Sequence, residues 1–231
     1  PTRPTTNKNV IVADSYRMLK VDTLDNRSIS DRILGQMTAQ IRESSADIVV
    51  CSDFRHGIFN QQTIPPLVAA IPDGVCRVAD SQVASRWGNI LEFQGFDLIT
   101  PNEREARFAL GDQDSVMRPI ASEVFRRAKC KTLILKLGDR GLLMHRTRPE
   151  GDPRTIVATD SFAGHVVDAM GAGDALLAYA ALALKATGSD VIASILGSIA
   201  AGIECEHDGN VPVTPSAVLK KIARVEKQVT Y

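Results

Sequence analysis

The stretch 96-FDLITPNEREARFAL-110 changes character in its middle. Residues 96–100 form a short apolar run that suits a strand, and the polar cluster after Pro101 suits a helix start. Asn102 is a good helix cap, and Glu103 and Glu105 then fall in the first turn of a helix expected over about 102–110, where carboxylates complement the positive end of the helix dipole. A strand running directly into a capped helix is the repeating unit of an α/β layered fold.

The unit recurs on both sides. Upstream, 46-ADIVVCSD-53 is a continuous apolar run ending in Ser52 and Asp53, the pattern of a parallel strand buried on both faces. A helix near 60–71 and a strand at 75–79 follow it. Downstream come a helix near 117–129, the strand 131-KTLILKLG-138, the hairpin-like 139-DRGLLMHR-146 and a strand near 155–158. Helices close the chain: 172–186, 189–205, and one after Pro215 that places Val218, Leu219, Ile222 and Val225 on one face. At the other end, β-prone runs at 9–13 and 16–22 precede a helix capped by Ser30, with Ile33, Leu34, Met37 and Ile41 at helical spacing. In open sheets of this type ligands bind beyond the carboxyl ends of the strands.

Composition narrows the partners. The chain has 231 residues, 44% of them hydrophobic, enough for one main domain with a buried core. Its 27 basic and 27 acidic residues cancel, so no bulk field points to nucleic acid or a membrane surface, and small molecules or protein are the expected partners. Cys51, Cys76, Cys130 and Cys205 lie far apart and read as reduced thiols. No apolar run approaches the ~20 residues of a membrane span, and the opening PTRPTTNKN lacks the pattern of a signal peptide, so a cytoplasmic location is expected.

Three polar clusters fall at strand ends. In the first, Asn102 and Glu105 either cap a helix or hold a hydrated magnesium ion, which takes one or two carboxylates plus phosphate oxygens. In the second, Gly138 and Gly141 flank the charged tip at Asp139; they make a tight turn, and Lys136 with the loop backbone is placed to lie against a nucleotide. The third is 166-VVDAMGAGD-174. Glycines at a helix entrance weaken the helix but let an anion reach its unpaired N–H groups, and Asp174 stands in the first turn, either as a cap or beside that anion. Taken together the clusters suit phosphoryl transfer, with Asp174 as the base on an accepting hydroxyl. The P-loop pattern G-x-x-x-x-G-K-[ST] is absent. His145, His165 and His207 have no metal-ligand spacing, and Glu204 and Glu206 beside His207 read as a solvated helix end.

These residues carry a resemblance. The segment 168-DAMGAGDALLAYAALA-183 resembles the C-terminal signature of the ribokinase or PfkB family of carbohydrate kinases, usually D-T-x-G-A-G-D. PNEREA is similar to that family's N-x-x-E magnesium motif, 135-LKLGDRG-141 to its nucleotide-side strand and glycine turn, and 210-NVPVTPSAVLKKI-222 to its ending. Within the family the heptose-phosphate kinase branch is the nearest likeness, through 16-YRMLKVD-22 as a lid strand, 49-VVCSDFRHGIF-59 and 98-LITPNEREA-106.

The resemblance implies a ribokinase-like three-layer α/β/α fold with a mainly parallel sheet, a lid-like β segment over residues 1–28 and a nucleotide-binding core over 29–231. It implies ATP and Mg2+ as cofactors and a sugar or sugar phosphate, such as a heptose 7-phosphate, as acceptor. Asp174 would be the base, with the amides of Gly171, Ala172 and Gly173 forming the anion hole. Asn102 and Glu105 would organise magnesium; Lys136, Gly138, Asp139, Gly141 and Asp168 would line the nucleotide; Asp53, Arg55 and His56 would face the acceptor. Three departures stand out: Ala169 and Met170 replace polar residues, His56 stands where lysine is usual, and the chain opens almost at the lid. An exposed sheet edge follows from the last, so a homo-oligomer or a partner completing the sheet is expected. A non-catalytic nucleotide-binding subunit is the alternative, and the retained Asp174 is the feature that separates the two.

Overall fold

The computed structural model describes residues 4–14, 16–83, 90–147 and 154–229. Strands β1 (Asn7–Ala13) and β2 (Tyr16–Thr23) pair antiparallel as a two-stranded ribbon of their own. After helix α1 (Asp31–Glu43) the remaining strands build one sheet in sequence order: β3 (Ile48–Asp53), β4 (Cys76–Ser81), β5 (Leu98–Ile99), β6 (Thr132–Lys136), β7 (Leu142–Arg146) and β8 (Ile156–Thr159). The first four run parallel and the last two antiparallel, which agrees with continuous apolar runs early and a hairpin late.

Helices cover both faces. Helix α2 (Ile64–Ala69), α3 (Glu103–Leu110) and α4 (Met117–Ala128) close a core containing Phe93, Phe96, Ile99 and Leu133. Phe93 and Phe96 meet edge-on at 5.5 Å, an arrangement that suits the aromatic quadrupole. On the opposite face α5 (Ala172–Thr187) and α6 (Asp190–Cys205) bury Leu176, Leu177, Ala180 and Ala193 against Ile134, Leu142 and Met144. Helix α5 is apolar nearly all round because it lies between the sheet and α6. Helix α7 (Pro215–Val229) packs on α6 through Val218 and Ile222. Leu219, expected on that same face, is instead 66% exposed, since neighbours on a helix diverge by about 100°.

The start signals are the ones the sequence carries. The Ser30 and Ser189 hydroxyls accept from the amides of Ile33 and Ile192, and Asn102 with Glu105 forms a reciprocal capping box. The ribbon differs from the core: its apolar residues are exposed on both faces, Ile11 at 52% and Met18 at 63%. No helix among the described residues is long and apolar enough to cross a membrane.

Candidate functional site

The carboxyl ends of β4, β5 and β6 and the start of α5 converge on two adjoining cavities. The smaller, about 300 Å3, is polar and is lined by Asp80, Gln82, Asn102, Glu105, Lys136 and Asp174. The larger, about 630 Å3, is mostly apolar and runs from Gly138, Asp139 and Gly141 to Leu176 and Cys205. Asn102, Lys136, Ala169 and Gly173 line both, so the cavities meet at the first turn of α5.

Gly171 caps that helix with φ 85°, and a Cβ there would stand 2.5 Å from Glu204 Oε1 and 2.6 Å from Asn210 Oδ1. Glycine is therefore required twice, by backbone conformation and by the neighbours. Gly173 serves differently: a Cβ on it would lie 3.3 Å from Lys136 Nζ. The lysine rests against the opening of the helix, and its ammonium bonds both oxygens of Asp80 at 3.1 and 3.0 Å.

Three carboxylates share this space. Asp174 is raised above its usual range, first by burial and then by Asp80, against the pull of Lys136 and Lys8. Glu105, 7% exposed, is pushed up to about 7, chiefly by burial; Lys136 opposes the shift and Asp80 adds to it. Its oxygens accept from the Asn102 amide and side-chain Nδ2 at 2.7 Å each, which leaves acceptor capacity and uncompensated charge for a cation. Among the described residues no three of His, Cys, Asp or Glu gather closely enough to hold a metal ion. A hydrated Mg2+, needing one carboxylate and otherwise water and phosphate oxygens, fits such a site where a protein-caged metal does not.

Other expected site residues lie elsewhere. Asp53 and Arg55 are 2% and 8% exposed and paired at 3.0 Å. Arg55 also reaches Ser81 Oγ at 2.6 Å, the Gln82 carbonyl at 3.3 Å and Glu92 at 3.5 Å, so each guanidinium nitrogen has a protein partner. The pair braces the loops after β3 and β4. Asp168 accepts from the amides of Met170 at 3.1 Å and Gly209 at 3.2 Å, tying the loop before α5 to the loop after α6 rather than lining the larger cavity. His56 meets the ribbon: its Nδ1 lies 3.4 Å from Thr6 Oγ1, and Lys8 Nζ sits 5.3 Å above the neighbouring Phe54 ring.

The acidic pair near His207 also needs correcting. Glu206 is bound to Lys221 at 2.6 Å, but Glu204 is buried at 1% exposure, with Oε1 accepting the Val211 amide at 3.0 Å. It supports the turn at Gly171 from behind. Sequence reasoning missed Asp80 as well, although 76-CRVADS-81 closes on Asp80 and Ser81 much as the β3 stretch closes on Ser52 and Asp53.

The model of the pfkB family carbohydrate kinases matches residues 67–217. The bifunctional protein HldE of Rhodopseudomonas palustris is 28% identical over 232 residues, covering 96% of this chain and 45% of that protein. The chain thus spans about half the length of the curated relatives it matches. Among solved structures, ribokinase from Thermotoga maritima aligns with TM-score 0.73 and 22% identity over 96% of this chain and 71% of its own. Arabidopsis thaliana ribokinase, complexed with ribose and ATP, aligns with TM-score 0.62 and 23% identity over 88% and 65%. These likenesses show a ribokinase-like fold.

Proposed function

Because the chain belongs to the pfkB family of carbohydrate kinases, we propose that its strand-end cleft transfers the γ-phosphoryl group of ATP to a hydroxyl of a sugar or sugar phosphate. The observation that carries this reading is the meeting of the two cavities at the first turn of α5, beside Asp174. The larger cavity suits a nucleotide, with its apolar wall for the base and the turn at Gly138, Asp139 and Gly141 along one side. The polar cavity takes the acceptor.

In this arrangement Asp174 accepts the hydroxyl proton as the acceptor oxygen closes on phosphorus. Its raised pKa makes it a stronger base than a solvated aspartate. The amides of Gly171 and Gly173 at the start of α5, with the positive end of the helix dipole, face the charge that develops on the phosphoryl oxygens, while the Ala172 amide donates to the Ala169 carbonyl at 3.4 Å. Glu105, oriented by Asn102, would hold a hydrated Mg2+, which supplies charge neutralisation for the nucleotide phosphates. The ribbon of β1 and β2 acts as a lid over the acceptor side, in keeping with the contacts of Thr6 and Lys8 to the loop after β3.

The test is transfer of labelled phosphate from Mg-ATP to a panel of sugars and sugar phosphates, heptose 7-phosphate among them. Asp174→Asn should lower kcat by about 10^3 while leaving nucleotide affinity within about threefold, the pattern of a lost base. Equal turnover by parent and variant would sink the assignment of the base.

A further inference from the structure

Lys136 occupies an electrostatically odd place. Its ammonium lies against the opening turn of α5, where the peptide dipoles already present their positive end. A cation belongs at the other end of a helix. Asp80 compensates in part, but the pair is taken from water, with side chains 15% and 12% exposed, and such pairs gain little stability over apolar residues of the same size. The ammonium and the helix start thus stand side by side at the junction of the two cavities, where a phosphoryl group would meet both at once, while Asp80, Glu105 and Asp174 hold the lysine in place around it.

The geometry points to Lys136 as the cation that meets the transferring phosphoryl group, with Asp80 as the residue that positions it. This inference rests on the kinase reading for its chemistry. As the acceptor oxygen bonds to the γ-phosphorus, its proton passes to Asp174, the bond from that phosphorus to the bridging oxygen breaks, and the electron pair stays on the ADP leaving group. Lys136 keeps its proton throughout and neutralises charge on the phosphoryl oxygens. Asp80 fixes the ammonium through both carboxylate oxygens, reaching from β4 across β5 to β6. A Cβ at 173 would stand 3.3 Å from that ammonium, so glycine there leaves the lysine room at the helix opening.

Calorimetric titration separates this role from a structural one. Mg-ADP and the Mg complex of the β,γ-imido analogue of ATP are titrated into the full-length protein, Lys136→Met, and the charge-neutral double variant Asp80→Asn with Lys136→Met. Lys136→Met should weaken the triphosphate analogue by about tenfold or more and ADP by less than about threefold, and kcat should fall by about 10^2 with acceptor KM nearly unchanged. The double variant, which removes the Asp80 carboxylate together with the cation it holds, should show the same loss of preference. Equal weakening of both nucleotides, or none, overturns the assignment. If the parent prefers the triphosphate and Lys136→Met abolishes that preference, yet no acceptor is phosphorylated, the lysine assignment stands as phosphate binding and the kinase reading falls. A parent protein that binds neither nucleotide overturns both.

Discussion

Where the parallel strands begin, Lys131 lies 2.7 Å from Asp97 and Arg146 lies 2.9 Å from Asp190; where they end, Asp80, Glu105 and Asp174 gather around Lys136. The residue types are the same at the two ends, and the balance is not. At the amino ends each carboxylate has its own cation, and Asp97 also accepts the Arg77 amide at 2.8 Å. A cavity of about 850 Å3 opens there too, yet its charges are largely committed to one another. At the carboxyl ends the buried carboxylates of Asp80 and Glu105 and the more exposed one of Asp174 share one lysine, and two of the three are raised in pKa. Matched charge holds a fold together, whereas unmatched charge held in place by that fold is a site prepared for ligands.

The largest expected effect comes from filling the carboxyl-end turn. Gly171→Val puts a β-branched side chain at φ 85° and drives its Cβ toward Glu204 and Asn210. A loss of roughly 3 kcal/mol or more in urea unfolding, with loss of Mg-nucleotide binding, should follow. Gly188→Ala makes the control: φ is 65° but the space is open, so about 1 kcal/mol is expected and binding should survive. Equal costs at the two positions would show that backbone strain alone, not the crowding by Glu204, governs the turn.

A smaller effect tests the unmatched charge itself. With its folded pKa raised from 4.5 to about 7, Glu105 binds a proton in the folded state that the unfolded chain releases. Between those values the folded state holds more protons, so stability falls as pH rises through that window and the loss is complete above it. Glu105→Gln should remove about 1–3 kcal/mol of the difference in unfolding free energy between pH 5 and pH 8. Millimolar Mg2+ with nucleotide should shrink the same difference in the parent. Parent and variant curves of identical pH dependence would show that the carboxylate is not strained by burial.

How much of this could be read from the chain depends on how local the cause is. The strand-helix alternation, the Asn102 cap and the opening of α5 at GAGD are properties of short windows, and they are found where the sequence placed them; that Glu105 bonds back to the Asn102 amide was added by the structure. The Asp80–Lys136 pair was not legible, because it joins β4 to β6 across an intervening strand, 56 residues apart in sequence. Gly171 was legible as a glycine but not for its steric reason, which comes from Glu204 and Asn210 in and after α6. Glu204 was misread because its neighbours Glu206 and His207 suggested a wet helix end, while its own position continues the buried face of Gly197 and Ala200. Asp53 and Arg55 carried a strand-end signal like Asp80, and only their mutual pairing, with Ser81 and Glu92, turned them inward.

The smallest effect belongs to the amino ends, where the comparison predicts almost nothing. Lys131 is paired with Asp97 at 2.7 Å, a distance that suggests a strong bridge, yet its side chain is 74% exposed. Water screens the attraction, and holding a long side chain in one geometry costs entropy, so pairs of this kind contribute little. Asp97 would not be orphaned by the loss, since it keeps the Arg77 amide and faces solvent in part. Lys131→Ala should shift the free energy of unfolding by less than about 0.5 kcal/mol and leave nucleotide affinity unchanged. If it instead cost more than about 1 kcal/mol, or altered nucleotide binding, the amino-end charges would be coupled to the site through the strands they begin, and the division between matched and unmatched ends would have to be redrawn.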